Sequence, residues 1–257
     1  MPRFCANLSL LFTELPWQER FQAAAAANFG AVEIQFPYHL AQDDLLRLLQ
    51  ESRQQLVLLN MPAGDWDAGE RGIACLPDRE QEFRQGIEQA LDYALACNCQ
   101  QINCLAGIRP PELPLAEALQ LMSCRVAYAA KRLARYGISL NIEAINSIEL
   151  PGFLLDRSAL VTEMIRTLGC DNIRFQYDIY HMQRMEPPLL PRLASLLPYI
   201  GHIQIADHPG RHEPGSGDID FPRLFKTLDT LGYPGWIALE YHPETTTQAG
   251  LSWLEMM

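Results

Sequence analysis

Residues Leu115–Ala144, LAEALQLMSCRVAYAAKRLARYGISLNIEA, hold one complete helix-to-strand unit. Leu115–Arg135 carries the apolar spacing of an amphipathic helix. Gly137 follows, where a chain leaving a helix needs a left-handed residue. Ile138–Ala144 then alternates, with Ile138, Leu140 and Ile142 on one face and Ser139, Asn141 and Glu143 on the other. Side chains of a strand alternate between faces with a period of two. A strand with one apolar and one polar face suits a closed barrel, its apolar set against surrounding helices and its other set pointing inward.

The unit recurs along the chain. Strands are expected at Phe4–Leu10, Ala31–Phe36, Leu56–Asn60, Gln101–Ala106, Ile138–Ala144, Ile173–Tyr180, Ile200–Ala206 and Trp236–Tyr241. Helices are expected at Trp17–Ala27, Asp43–Ser52, Asp78–Ala96, Leu115–Arg135, Ser158–Leu168 and Phe221–Thr230, with Thr245–Met257 supplying the last. Gly30, Gly169 and Gly232 repeat the role of Gly137, and Asp43 and Ser158 stand where helix N-caps are wanted. Eight such units favour a closed barrel of right-handed βαβ turns over an open sheet. The absence of GxGxxG after the first strand removes the main sign of a dinucleotide-binding sheet. The length of 257 residues matches one (β/α)8 TIM barrel, and no linker or low-complexity tract divides it. The expectation is a single barrel domain over residues 1–257. Two strand-to-helix loops are long, Met61–Pro77 and Asp207–Asp220, and long loops in compact domains commonly serve binding.

Composition narrows the partners. A net charge of −11 with no Lys/Arg run argues against nucleic acid, whose binding draws on phosphate neutralisation. No apolar run approaches the ~20 residues needed to span a bilayer. The seven cysteines are odd in number and contain no CxxC pair, which reads as reduced thiols. FCANLSLLF near the start is short for a signal peptide, so a cytoplasmic protein is expected. The oligomeric state is not set by any of these features.

Parity on the last four strands is the most informative pattern. Glu143, Asp178, Gln204 and Glu240 all fall on the inward face near the C-terminal ends of their strands, 35, 26 and 36 residues apart. Each step is about one βα unit, and adjacent strands lie about 4.8 Å apart. Buried carboxylates so placed repel unless protonated or bridged by a cation. Three carboxylates and one amide oxygen form a hard ligand set, suited to Mg2+ with Mn2+ as second choice. The expectation is one divalent ion held by these four residues at the catalytic face of the barrel.

Several stretches then resemble a known family: NMPAGDWDAGERGIACLPDREQEFR (Asn60–Arg84), NIEAIN (Asn141–Asn146), QYDIYHMQ (Gln176–Gln183), HIQIADHPGRHEPGSGDIDF (His202–Phe221) and ALEYHP (Ala238–Pro243). They are similar to hydroxypyruvate isomerases and their 2-oxo-tetronate isomerase relatives, within the xylose isomerase-like barrels, and the likeness spans essentially the whole chain. Gln204 stands where the ketose epimerases of that superfamily carry His. The resemblance implies that Glu143 and Glu240 are an acid/base pair as well as ligands, that His181 contacts a substrate oxygen, and that Arg211 matches a substrate-contacting Arg. An oxo-acid substrate needs a cation, and Arg71 or Arg211 could hold its carboxylate bidentately. Trp66 could close over the site. His202 is expected to support it from one layer deeper, and His39 and His242 could line the mouth. Asp207 and His208 read as loop residues rather than a second metal site.

The expected reaction is carbonyl migration between adjacent carbons of a small hydroxy-oxo acid through an enediolate. Hydroxypyruvate to tartronate semialdehyde and 2-oxo-tetronate to 3-oxo-tetronate both fit. The same two glutamates would also serve a C3 epimerase of free ketoses or a polyol dehydratase. A zinc DNA-repair endonuclease on this barrel fits the charge and the six scattered histidines poorly.

Overall fold

The computed structural model describes residues 2–256. Its strands are β1 Arg3–Asn7, β2 Ala31–Ile34, β3 Gln55–Asn60, β4 Gln101–Cys104, β5 Ser139–Glu143, β6 Ile173–Asp178, β7 Ile200–Ile205 and β8 Trp236–Leu239. They pair in parallel in sequential order and close into a barrel where β8 meets β1. The helices are α1 Trp17–Ala26, α2 Gln42–Ser52, α3 Glu80–Ala96, α4 Leu115–Ala134, α5 Ser158–Leu168, α6 Ile179–Met185, α7 Leu189–Leu196 and α8 Phe221–Thr230.

Strand parity sorts the core. The outward residues Leu140 and Ile142 join Val126, Ala129 and Leu133 of α4 in one continuous apolar cluster between barrel and helices. A smaller cluster, Cys5, Ala31, Val57, Leu58 and Ala238, fills part of the interior. The remaining inward positions carry polar side chains, and Asn7, Glu33, Asn103, Asn141, Gln176, His202 and Gln204 are all buried. A buried polar group is stable only when hydrogen-bonded, so the barrel axis holds a connected polar network.

Several boundaries differ from those read in the sequence, each for a local reason. Strand β1 stops at Asn7 because the N–H groups of Leu10 and Leu11 turn back to the Asn7 carbonyl. Strand β6 stops at Asp178 because its carboxylate accepts from the N–H groups of Tyr180 and His181 and starts α6. Helices α6 and α7 therefore occupy residues with no expected helix. Asp78 takes a left-handed φ of 57°, which delays α3 to Glu80. Ala41 and Arg157, not Asp43 and Ser158, occupy the N-cap positions of α2 and α5. The Ser158 hydroxyl instead donates to Glu186 at 2.6 Å. Gly137, Gly169 and Gly232 do take positive φ, but after α1 that conformation falls on Asn28 rather than Gly30. The terminal segment is a 3-10 helix over Ala249–Met256 rather than a helix from Thr245. Thr247 ahead of it is held by its hydroxyl against the Phe12 N–H and the Glu14 carboxylate. Met257 lies outside the described residues.

The two loops that rise over the C-terminal ends of β3 and β4 cross backbone to backbone. Gly72 has φ +111°, and a Cβ there would stand 2.4 Å from the Leu105 carbonyl oxygen. Gly107, at φ +101°, meets the Gly72 carbonyl in the same way at 2.5 Å. Among the described residues no helix is long and apolar enough to cross a membrane. Gly72→Ala and Gly107→Ala are each expected to lower stability by about 1–3 kcal/mol, through forced φ and steric overlap. Urea unfolding measures this, and an unchanged midpoint for both variants would contradict the crossing.

Candidate active site

Register brings the four parity residues together. Glu143 pairs with Gln176, Asp178 with Gln204, and Gln204 with Ala238. Asp178 thus stands two residues beyond the partner of Glu143, and Glu240 two beyond the partner of Gln204. In tilted barrel strands this stagger returns the side chains to a common height. All four are buried at the C-terminal mouth.

A cage of amides surrounds the carboxylates. Asn103 and Gln176 both donate to Glu143 Oε2, at 3.1 and 3.0 Å. Asn7 and Gln35 donate to Glu240 Oε1, at 3.3 and 2.8 Å. Arg211 Nη2 donates to Glu240 Oε2 at 3.0 Å and lies 3.9 Å from Asp178 Oδ2. Behind them Glu33 Oε1 accepts from Asn7 at 2.7 Å and from Gln204 Nε2 at 3.0 Å. His202 Nε2 meets Glu33 Oε2 at 2.6 Å, so His202 supports the site through Glu33. Gln204 Oε1 accepts from Gln176 at 2.8 Å and keeps its second lone pair.

Glu33, Asn7, Gln35 and Asn103 are not among the residues singled out from the sequence. The signal for them is the same parity rule: Cys5 and Asn7 share a face of β1, Ala31 and Glu33 share one of β2, and Asn103 sits opposite Ile102 and Cys104. The short strand β2 is buried along its whole length, which disguises Glu33 as part of an apolar run.

The carboxyls test the fit of a cation. Asp178 Oδ1 accepts from the N–H groups of Tyr180 and His181 at 2.7 and 3.4 Å. Asp178 Oδ2 is buried with no hydrogen-bond partner. Arg211 Nη2 stands 3.9 Å from Asp178 Oδ2 and 3.0 Å from Glu240 Oε2, and buried carboxyls gathered this closely need protons or further positive charge. Ligand atoms of Glu143, Asp178 and His181 fall within 4.8 Å of one another. The oxygen-rich donor set of Glu143, Asp178, Gln204 and Glu240 fits a hard divalent ion. Burial pushes the carboxyl of Glu143 well above its ordinary range, helped by Glu240 and Asp178. Asp178 rises similarly through burial and Glu240, and Glu240 rises through burial although Arg211 opposes it. His181 falls well below the usual imidazole value through burial and the Arg211 and Arg184 charges.

The mouth opens into a cavity of about 480 Å³, lined by Glu143, Glu240, His181, Arg211, Arg71 and Trp66 among others. Arg211 has a left-handed φ of 59° and packs its guanidinium 5.3 Å from the Tyr180 ring. Its loop is pinned by the buried Asp207, whose carboxylate accepts from four backbone N–H groups, those of His208, Gly215, Gly217 and Ile219. His208 pairs with Asp218 at 3.2 Å, so Asp207 and His208 serve the loop. Arg71 Nη1 is held by the carbonyls of Trp66 and Glu70 at 2.9 and 2.7 Å, with its guanidinium 4.0 Å from the Trp66 ring. The Trp66 ring leans on Phe36 at 5.0 Å. His242 lines the cavity, whereas His39 is exposed and packs on Trp17 at 4.6 Å instead. The seven cysteines are free thiols.

Comparison with known proteins places this geometry in context. A family model described as a xylose isomerase-like TIM barrel matches residues 21–257. The chain is 45% identical to the hydroxypyruvate isomerase of Escherichia coli K12 over 255 residues, covering 99% of both chains. It is 42% identical to the 2-oxo-tetronate isomerase of Cupriavidus necator over 255 residues, covering 99% of this chain and 98% of the other. A crystal structure from Brucella melitensis titled an AP endonuclease of family 2 superposes with a TM-score of 0.97 at 39% identity, covering 100% of this chain and 99% of that one.

The raised carboxyls make stability pH-dependent in a fixed direction. As pH rises above about 4, the unfolded chain loses these protons first while the folded chain retains them, so stability present at low pH is lost as pH climbs toward the folded values. The melting temperature of the metal-free chain is therefore expected to fall as pH rises above about 6.5, beyond which the depressed His181 and His242 add no further stability with pH, and Asp178→Asn to reduce that slope. Differential scanning calorimetry above that pH checks it, and a melting temperature that rises with pH there would contradict the burial described.

Proposed function

This chain belongs to the xylose isomerase-like TIM-barrel family and, within it, to the hydroxypyruvate and 2-oxo-tetronate isomerases, and on that premise we propose that it moves a carbonyl between adjacent carbons of a small hydroxy-oxo acid. That it is an isomerase of the aldose–ketose type follows from the company it keeps over its full length. The observation that carries the finer reading is the burial of Glu143, Asp178 and Glu240 at one mouth, with Arg211 between the last two and the unpartnered Asp178 Oδ2 among them.

Glu143, Asp178, Gln204 and Glu240 would hold one divalent ion, Mg2+ by the hardness of the donors with Mn2+ as the alternative. Such an ion supplies a Lewis acid that makes a proton next to a carbonyl easier to remove. The protein's own groups then divide the work. Glu143 has Oε2 tied to two amides and no protein donor on Oε1, so Oε1 is the base that takes the proton from the hydroxyl-bearing carbon. Both oxygens of Glu240 accept from the protein, which suits it to orient the substrate and to relay the hydroxyl proton. One C–H bond breaks and one forms at the neighbouring carbon, one hydroxyl becomes the new carbonyl and the old carbonyl a hydroxyl, with no net gain of protons or electrons. Trp66 and its loop shield the enediolate from water.

The arginines split in role. The guanidinium of Arg211 is committed to Glu240, leaving its Nε buried without a partner beside the cavity. Arg71 meets two carbonyls and the Trp66 ring but no carboxylate among the described residues, so it keeps its charge for the substrate carboxylate. A net charge of −11 speaks for a small substrate rather than for the nucleic acid on which an endonuclease acts. Hydroxypyruvate and 2-oxo-tetronate differ by one CHOH group, and the cavity of about 480 Å³ is roomy for either.

Proton NMR in D2O with hydroxypyruvate, 2-oxo-tetronates and free ketoses tests the reaction. Expected are carbonyl migration with solvent deuterium at the new carbon, and loss of turnover in EDTA. Epimerisation of free ketoses alone, or full activity in EDTA, would overturn the reading. Glu143→Gln and Glu240→Gln should each lower kcat by about 100-fold or more. Arg71→Met should raise KM about 10-fold or more for carboxylate substrates with kcat little changed, whereas Arg211→Met should also lower kcat because it frees Glu240. An unchanged KM in both arginine variants would remove them from carboxylate binding.

A further inference from the structure

His181 faces the site with one ring nitrogen and a buried side chain, Asn146, with the other. His181 Nε2 lies 3.5 Å from Asp178 Oδ2, and geometry alone would let it join Glu143 and Asp178 as a metal ligand. Its protonation pattern decides between ligand and donor, since a ligand needs a bare Nε2.

The pattern can be traced outward through three contacts. Asn146 Oδ1 receives the backbone N–H of Glu149 at 2.8 Å. A backbone N–H only donates, so the atom facing it is the amide oxygen. The Asn146 amide nitrogen therefore points the other way, with one hydrogen to Glu149 Oε2 at 3.1 Å and one to His181 Nδ1 at 2.7 Å. Turning the amide over would set its NH2 against an N–H and its oxygen against a carboxylate. Glu149 is itself held by Arg184 at 2.8 Å and by the Tyr180 hydroxyl. A nitrogen that accepts from Asn146 carries no proton, so the proton of the ring sits on Nε2.

We infer that Asn146 is a positioning residue that locks His181 as the Nε2–H tautomer, making His181 a fixed hydrogen-bond donor to a substrate oxygen and barring it from the metal. The lock is read from protein contacts alone and stands apart from the identity of the substrate or the ion. It assigns a purpose to the NIEAIN stretch beyond Glu143: the strand delivers the carboxylate, and the turn three residues later sets the imidazole opposite it.

Long-range 1H–15N correlation of the imidazole rings in the full chain tests this, taken with and without Mg2+, with the His181 signals assigned by their loss in His181→Gln. The expected spectrum has Nε2 protonated and Nδ1 bare in both samples. Asn146→Asp, nearly isosteric, would place an oxygen against Nδ1; the proton pattern should then reverse or the ring become doubly protonated. In that variant kcat should fall about 10-fold or more, and the oxygen set against the Glu149 carboxylate should lower the melting temperature modestly without unfolding the chain. A parent spectrum with Nδ1 protonated would overturn the inference, as would an Asn146→Asp spectrum identical to the parent's. Calorimetric titration of Mg2+ into the metal-free His181→Gln chain gives an independent reading. Affinity within a few-fold of the parent is expected, and its abolition would make His181 a ligand and the inference wrong.

Discussion

Four carboxyl groups, Glu33, Glu143, Asp178 and Glu240, share the interior of one barrel, and much of the molecule is organised around keeping them there. Charges withdrawn from water are strongly penalised unless paired or hydrogen-bonded. The barrel answers with side-chain amides from several strands, each amide bridging two acids or an acid and another amide. Arg211 adds one built-in cation and His202 braces Glu33. Even so, Asp178 Oδ2 is left with no donor. Asn103, Gln176 and Arg211 each keep an unpartnered polar atom as well, but Asp178 Oδ2 is the carboxylate oxygen among them, and it links the packing of the core directly to chemistry at the mouth.

The barrel and the center of its site could be read from the chain because both depend on strictly periodic features. Alternation along Ile138–Ala144 survives folding unchanged, since a strand has no other way to place its side chains. The same rule applied to β1, β2 and β4 would have brought in Asn7, Glu33 and Asn103, but those strands are short and their polar residues are embedded among buried apolar ones. What escaped the sequence was contact between segments far apart in the chain. Nothing near Ser158 announces that its hydroxyl would turn to Glu186 rather than cap its own helix. Likewise the partnership of Arg211 with Glu240 depends on a loop fold dictated by Asp207, ten residues of turn that carry no period. The roles of the two arginines differ for this reason: one is drawn down among the acids and the other stays on the lip.

The loops above the barrel express a second division. The strands and their C-terminal ends supply the buried carboxylates, while the connections after β3, β5 and β7 supply further residues that line the cavity. Those connections are nevertheless well tied. Asp207 gathers four backbone N–H groups of its loop, and Glu149 joins the turn after β5 to Tyr180 and Arg184 on α6. Such ties keep the polar contacts of the mouth in place before any ligand arrives, which reduces the ordering that binding would otherwise require.

The crossing of Gly72 and Gly107 has a bearing on how a molecule reaches the cavity. Two main chains in contact with no side chain between them act as a weld, so the base of the Met61–Pro77 loop cannot swing without carrying the loop after β4 with it. Above that base, Trp66 is 40% exposed, rests on Phe36 and Arg71 and lines the cavity. The rim that an arriving molecule meets is thus an indole braced by its neighbours and standing on a doubly anchored footing.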